Sequence, residues 1–217
     1  TDSDDLEGEV LDRQQPPQLS PSALETALEP FRGLIQQRPP AISAVHVNGQ
    51  RAYKLARAGE SVELQARPVT LHRLELLHWD PELGRLELEV ACSAGTYIRS
   101  LARDLGEALG CGGCLAQLQR TEALGFSLEQ SVNWEQLDAL PPPALVDPLE
   151  ALSHLQQHQL TAEALAGWRC GRMQACEPAW PSDTPVVVVG PDGNLAGMAR
   201  VQASGQLQPR LVLDAAG

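Results

Sequence analysis

Leu86-Glu87-Leu88-Glu89-Val90-Ala91-Cys92 runs directly into Ser93-Ala94-Gly95-Thr96-Tyr97-Ile98-Arg99-Ser100-Leu101-Ala102-Arg103-Asp104-Leu105-Gly106. The hydrophobic period changes inside this stretch. Its first seven residues alternate apolar and polar, which is the period of a half-buried strand. From Ile98 onward the apolar residues are Ile98, Leu101, Leu105 and Leu109, three and four apart on one face of a helix. Gly110 is placed to end that helix, and Gly112-Gly113 continue as loop.

Upstream, Val62–Leu64 and Val69–Leu77 read as strands, the second only partly alternating. Asn48-Gly49 is the strongest turn signal in the chain; a short strand (Ile42, Ala44, Val45 to Val47) precedes it. Arg51 to Ala58 is a short helix with Gly59 placed to end it. Gln36 to Pro40 is polar, closes on Pro39-Pro40, and reads as an extended connector. Ser20-Pro21 is a helix start, an N-cap serine followed by proline at the first helical position, with Leu24, Leu28 and Phe31 on its apolar stripe.

Downstream, Leu115–Leu118 begins another ordered piece and Trp134–Leu140 is a short helix. Pro141-Pro142-Pro143 is the best linker and marks a domain boundary. The remainder, 150–217, reads as a β-rich module: a helix at Ala162–Trp168, then strands at Val186–Val189, Leu195–Val201 and Leu211–Leu213. Turns at Pro191-Asp192-Gly193-Asn194 and Ser204-Gly205 separate the strands.

Composition narrows the class. Hydrophobic residues make up 43% and charged residues 20% of 217 positions, enough apolar content to exclude a wholly disordered chain. Val186–Val189, the longest clean apolar run, is far too short to cross a bilayer. No basic segment followed by an apolar one opens the chain, so no secretory signal is visible. It begins Thr1-Asp2-Ser3-Asp4-Asp5 without methionine, as expected of a piece of something longer.

The net charge of −12 argues against a nucleic-acid partner if taken whole. Its distribution argues the other way. Residues 1–31 carry one basic and eight acidic residues, a balance of −7. Residues 32–73 carry Arg32, Arg38, Arg51, Lys54, Arg57, Arg67 and Arg73 against Glu60 and Glu63, a balance of +5. A basic island can hold a phosphate backbone inside an acidic protein, because counterion release is local to the contact. Solvated arginines are the plainer account of the same residues. Lys54 and Arg57, three apart, share a helical face.

Five cysteines without a secretory signal point to free thiols in a reducing compartment. Cys111-Gly112-Gly113-Cys114 is a CxxC, but Cys170 and Cys176 have five residues between them and make no second zinc pair. The pair also follows a helix, unlike a thioredoxin-like motif. The histidines have no ligand spacing, and no nucleotide-binding loop, HExxH or GxSxG is present.

A second unusual stretch is Arg38-Pro39-Pro40-Ala41-Ile42-Ser43-Ala44-Val45-His46-Val47-Asn48-Gly49-Gln50-Arg51-Ala52-Tyr53-Lys54-Leu55-Ala56-Arg57-Ala58-Gly59. With Cys92–Gly106 following in this order, it resembles the TruB family of tRNA pseudouridine synthases, whose patterns are PPxYSAxKxxGxxxYxxAR.G and CSxGTYIRSLAxDLGxxLG. Leu109-Gly110-Cys111-Gly112, Leu118-Gln119-Arg120 and the opening Thr1–Val10, similar to TDTxDxxGxV, fit as well. The likeness is dense over 1–140 and loose beyond. Ile42 stands where the family usually has Tyr, His46 where it has Lys, and Gln119-Arg120-Thr121 replaces a more basic RRL, which weakens one phosphate contact. The family's catalytic aspartate lies in a GxLDPxATG-like segment upstream of TDTxD. Asp2, Asp4 and Asp5 do not match it, so the expectation is an N-terminally incomplete enzyme whose 217 residues alone are inactive.

The resemblance implies an α+β fold: a mixed or antiparallel sheet with flanking helices over 1–143, then a PUA-like RNA-binding module over 147–217. It implies isomerisation of the uridine at position 55, in the tRNA T-loop, with no cofactor and no metal. It further implies the tRNA T-arm as partner, no membrane, a monomer and a cytoplasmic location. Tyr97 is the expected catalytic and stacking residue, suited to proton transfer at carbon 5 of a flipped uracil. By position alone a half-buried core tyrosine is the plainer reading, which the motif reverses. Arg99 is expected to orient the catalytic aspartate and hold it ionised. Leu118 is expected against the bound base, or simply in the core. Arg51, Lys54, Arg57 and Arg67 are the phosphate candidates, and Tyr53 reads as packing. Two rivals remain open: a non-catalytic tRNA-binding or RNA-folding protein, and a zinc-bearing interaction module built on Cys111 and Cys114.

Overall fold

A computed structural model describes residues 1–47, 49–57, 64–139, 141–176 and 180–214, with only the backbone at 47 and 55–57. The chain divides into two compact units, Thr1–Gln119 and Arg120–Gly217. Pro141-Pro142-Pro143 lies within the second.

The first unit opens with α1 (Pro21–Leu28), where the Ser20 hydroxyl accepts from the Ala23 amide at 3.2 Å and Pro21 takes the first helical position. Next come β1 (Gly33–Gln37), the two-residue strands β2 (His46–Val47) and β3 (Gln50–Arg51), and α2 (Ala52–Arg57). The long strand β4 (Arg67–Asp80), β5 (Arg85–Cys92) and α3 (Ile98–Ala108) complete it. β1, β4 and β5 form one antiparallel sheet in that order, Gln37 opposite Arg67 and Leu71 opposite Cys92.

β4 explains its own imperfect alternation. Val69 and Leu71 are buried at a spacing of two, but the next buried residue is Leu74, at a spacing of three. A register shift between Leu71 and Arg73 absorbs the extra residue, as a bulge does, and returns Leu74 to the core face. That face meets Leu28 of α1 and Leu101 and Leu105 of α3, each 5% exposed or less. Burying each of these side chains contributes about 1.5–3 kcal/mol.

Three sequence expectations need correction. Gln36 and Gln37 belong to β1 rather than to a connector, because pairing along β4 stabilises a stretch with no alternating pattern of its own. The strand expected over 42–47 shrinks to His46–Val47: the Ser43 amide folds back onto the Ala41 carbonyl at 3.1 Å, and the Ile42 carbonyl is taken by a side chain described below. Leu64 is not in a strand; Val62, Asn48 and Ala58 to Gly59 lie outside the described residues.

The second unit holds a small hairpin, β6 (Glu122–Ala123) with β7 (Phe126–Ser127), and two one-turn helices, α4 (Trp134–Leu137) and α5 (Pro148–Ala151). Then follow β8 (Gln156–Gln159), α6 (Ala162–Arg169), β9 (Gln174–Ala175), β10 (Pro185–Val189), β11 (Leu195–Val201) and β12 (Gln206–Val212). Their sheet order is β8-β10-β11-β12-β9, antiparallel except for β8 beside β10. Val186–Val189 are all buried, a continuous apolar run expected of a strand covered on both faces. Trp168 of α6 is fully buried and donates its indole N–H to the Ala196 carbonyl at 2.9 Å. β8, Gln-Gln-His-Gln, carries no hydrophobic pattern and β9 is two residues long; the sequence reading found neither. Among the described residues no helix is long and apolar enough to cross a membrane.

Gly106 lies where two backbone segments of the first unit approach closely. It is buried in α3, and a Cβ there would collide with the Gly112-Gly113 backbone; at Gly113 a Cβ would sit 2.6 Å from the Ala102 carbonyl oxygen. Glycine to alanine inside a helix normally stabilises by about 1 kcal/mol. Here overpacking decides the sign. Gly106→Ala should lower stability by about 1–3 kcal/mol, read as a lower urea midpoint by circular dichroism.

Candidate functional site

The start of α3 is where the two unusual sequence stretches meet. Tyr97 is the N-cap, extended at φ −102° and ψ 111°, and its own side chain does not cap the helix. It is held instead by Gln37 from the end of β1. The Gln37 carboxamide oxygen accepts from the Tyr97 amide at 2.8 Å, and its NH2 donates to the Tyr97 carbonyl at 3.0 Å. Gln37 is only 2% exposed, so these two contacts satisfy an otherwise costly buried amide. Tyr97 itself is half-buried.

Arg99, in the first turn of α3, points into a junction of three chain segments. One terminal nitrogen donates to the Ser3 carbonyl at 3.2 Å and to Asp5 Oδ2 at 3.1 Å; the other donates to the Ile42 carbonyl at 2.9 Å. Ile42 is the position where the family pattern has Tyr, and here it is its backbone that meets Arg99. One turn on, Arg103 repeats the arrangement. It donates to Asp4 Oδ2 at 2.7 Å, to the Arg38 carbonyl at 2.8 Å and, from Nε, to Asp104 at 2.8 Å. Residues four apart on a helix share a face, so α3 carries a two-arginine clamp on the opening turn and on the 38–42 connector.

The opening turn is folded to fit. Asp4 adopts φ +61°, and its carbonyl accepts from Leu115 while the Leu6 amide donates to the Leu115 carbonyl. The Ser3 hydroxyl donates to Asp5 Oδ1 at 2.6 Å, and the Glu7 amide donates to the same oxygen. These hydrogen bonds, Ser3 foremost, with Arg99 hold the Asp5 carboxyl below the ordinary carboxylate value. Burial pushes the Asp4 carboxyl up, against the pull of Arg103.

The structure brings Tyr97 and Arg99 together and joins the segment leading to Leu118 to them through Asp5 and Leu115. Leu118 is 60% exposed, so it is not core. Arg51 is exposed and donates to the Ala44 carbonyl at 2.8 Å, which ties β3 to the segment leading into β2. Lys54 and Arg67 are exposed and pair with no carboxylate among the described residues. The Arg57 side chain lies outside the described residues. Arg32 and Arg73 are taken by Glu25 and Glu89, which removes them from the basic island. Tyr53 is half-buried, and its amide donates to the Ser43 carbonyl at 3.0 Å. The cysteines are free thiols, and no cluster of metal-ligating side chains occurs among the described residues.

Sequence reasoning missed Gln37, Arg103, Asp4 and Asp5. A signal existed for three of them. Arg99 and Arg103 stand four apart on a helix, and a chain whose opening is strongly acidic offers partners for both.

A family model described as "TruB family pseudouridylate synthase (N terminal domain)" matches residues 1–98, and one described as "tRNA pseudouridylate synthase B C-terminal domain" matches 99–153. A protein named tRNA pseudouridine synthase B from Parasynechococcus marenigrum (strain WH8102) is 61% identical over 218 residues, covering 100% of this chain and 74% of that one. Its namesake from Synechococcus sp. (strain WH7803) is 51% identical with the same coverage. Among solved structures, a chain of "Crystal Structure of a Cbf5-Nop10-Gar1 Complex" matches with TM-score 0.66 at 19% identity, over 92% of this chain and 63% of that one. A chain of "Crystal structure of the archaeal box H/ACA sRNP Nop10-Cbf5 complex" matches at TM-score 0.62 and 19% identity, over 91% and 63%. At that identity the likeness is one of fold.

The Asp5–Arg99 pair gives a signed pH effect. Because the folded carboxyl titrates below its ordinary value of 3.8, its contribution is fully present above 3.8 and fades as pH falls through the lowered value. Asp5→Asn should therefore cost about 1 kcal/mol at neutral pH, the size of a partly exposed ion pair. Urea midpoints of the two proteins should converge once the pH is brought below the folded value.

Proposed function

The chain belongs to the TruB family of pseudouridylate synthases, and from that premise we propose that the full-length polypeptide converts the uridine at position 55 of the tRNA T-loop to pseudouridine. The observation that carries this reading is the junction at α3. Tyr97 and Arg99 come from one motif of the family pattern; the Gln37 side chain that holds the Tyr97 backbone borders the other motif, and the Ile42 carbonyl that accepts from Arg99 belongs to it.

The reaction breaks the bond from N1 of uracil to the ribose C1′, turns the base, and joins C5 to C1′. The C5 proton leaves and N1 gains one, with no change in oxidation state. A base in a folded T-loop is out of reach until it is flipped, and a flipped base needs an apolar and aromatic receptacle. Tyr97 offers a ring face and a hydroxyl at the mouth of α3. Leu118, too exposed for core packing, is free to close on the base. Arg99 holds the site's backbone with its terminal nitrogens; its Nε makes no hydrogen bond among the described residues and is available to orient the reacting carboxylate. That carboxylate is none of Asp2, Asp4 or Asp5: Asp4 and Asp5 are committed to Arg103 and Arg99, and none of the three stands in the family's aspartate motif.

Arg51, Lys54, Arg57 and Arg67 are the candidates for phosphate contact, and the T-arm is read by shape and charge. We assign residues 1–143 to the catalytic domain and 147–217 to a PUA-like RNA-binding module. The partner is tRNA, bound by a monomer, and the location is cytoplasmic.

In the full-length polypeptide, Tyr97→Phe should keep tRNA affinity within about twofold while single-turnover tritium release from [5-³H]uridine tRNA falls by about 10²–10⁴, the range of a general acid–base group. Arg99→Lys should also slow release, since an ammonium cannot reproduce a forked guanidinium contact. Unchanged rates in both variants reject these roles.

Neutralising Lys54 and Arg67 together should reduce the slope of log affinity against log salt by about one to two units. Folding should hold, because exposed substitutions usually cost within about 0.5 kcal/mol. Arg200 and Arg210 in the second unit are the matched control; a slope that flattens only there moves the binding face to that unit.

A further inference from the structure

We infer that Gln37 is a positioning residue for Tyr97: its carboxamide, by bridging both backbone polar groups of that residue, fixes the direction in which the aromatic ring leaves α3. In a capping box the third residue of a helix reaches back to the N-cap amide. No residue of α3 does this. A side chain from another element, at the buried end of β1, supplies the contact instead, with its oxygen 2.8 Å from the Tyr97 nitrogen. The same amide donates to the Tyr97 carbonyl at 3.0 Å, and that carbonyl also accepts the first helical bond, from Leu101, at 3.1 Å. Gln37 therefore couples the sheet, the helix start and the ring-bearing residue at one point.

The pairing is chemically specific. It requires one acceptor and one donor on a planar, two-headed group of this length. Glutamate has the same shape, but when ionised it offers two acceptors and sets one against the Tyr97 carbonyl. Protonated glutamate restores a donor and an acceptor in the same places. Leucine removes both.

The proposal rests on Tyr97 acting in the reaction, as proposed above, and its test separates the two. The chain has two tyrosines, Tyr53 and Tyr97, so 3-fluorotyrosine labelling gives two ¹⁹F resonances, assigned with Tyr53→Phe. Gln37→Leu, and Gln37→Glu at about pH 8, should move or broaden the Tyr97 resonance while leaving that of Tyr53 within its linewidth. Acidifying Gln37→Glu to about pH 5 should return the Tyr97 resonance toward that of the unsubstituted protein at the same pH, as a buried carboxyl regains its proton. In the full-length enzyme both variants should slow the single-turnover rate by about tenfold or more, the scale of a small misplacement at a reacting centre. Affinity for tRNA should stay within about twofold, and the rate of Gln37→Glu relative to the unsubstituted enzyme should recover on acidification.

A Tyr97 resonance untouched by either variant overturns the inference, and so does a loss confined to tRNA affinity. If the unsubstituted enzyme makes no pseudouridine, the proposed function fails, while the fluorine spectra still decide whether Gln37 sets Tyr97. Should Gln37→Leu not fold, Gln37→Glu compared at the two pH values carries the test alone.

Discussion

The Arg99 guanidinium is the constraint on which the first unit's site depends. It sits 26% exposed, at the positive end of a helix dipole that disfavours a cation. A charge in that position is tolerable only if it is matched by a carboxylate and its remaining donors find acceptors. Asp5, the Ser3 carbonyl and the Ile42 carbonyl meet that demand. Asp5 lies 94 residues and Ile42 57 residues earlier in the chain. Satisfying one side chain thus gathers the opening turn and the 38–42 connector against α3. Arg103, one turn later and 14% exposed, repeats the demand and fixes the connector at a second point.

The rest of the first unit delivers these groups to their places. The bulge in β4 keeps Leu74 on the face that α3 covers, and the Gly106 contact lets the loop after α3 return close to the helix. That loop continues to Leu115, which pairs with the Asp4–Leu6 backbone, so the opening turn is held from both sides. The acidic opening and the basic residues that follow it look opposed in the charge count, yet the fold joins acid to base across the chain. Two of the eight acidic residues in 1–31 neutralise the two arginines of α3.

The strand-to-helix change at Tyr97 was readable because it is written in hydrophobic period, and period follows from which face is buried. α1 was readable because Ser20-Pro21 is a local signal. β1 and β8 were not, since Gln36-Gln37 and Gln156-Gln157-His158-Gln159 are strands only by virtue of a neighbour's hydrogen bonds. The 42–47 strand was over-read because Ile42 has strand propensity but its carbonyl is claimed by Arg99. Tyr97 and Arg99 could be picked out from the motif; their partners could not. Gln37 looks like any polar residue of a connector until its partner, 60 residues away, is known, and Asp5 looks like one more acid in an acidic tail.

The most direct measurement is to map pseudouridine at single-nucleotide resolution in an unmodified tRNA transcript after incubation with the full-length protein. A second transcript carrying cytidine in place of the T-loop uridine should be run in parallel. The account predicts one modified position, in the T-loop of the first transcript, and none in the second. Pseudouridine at another position, or none in the first transcript, would contradict it.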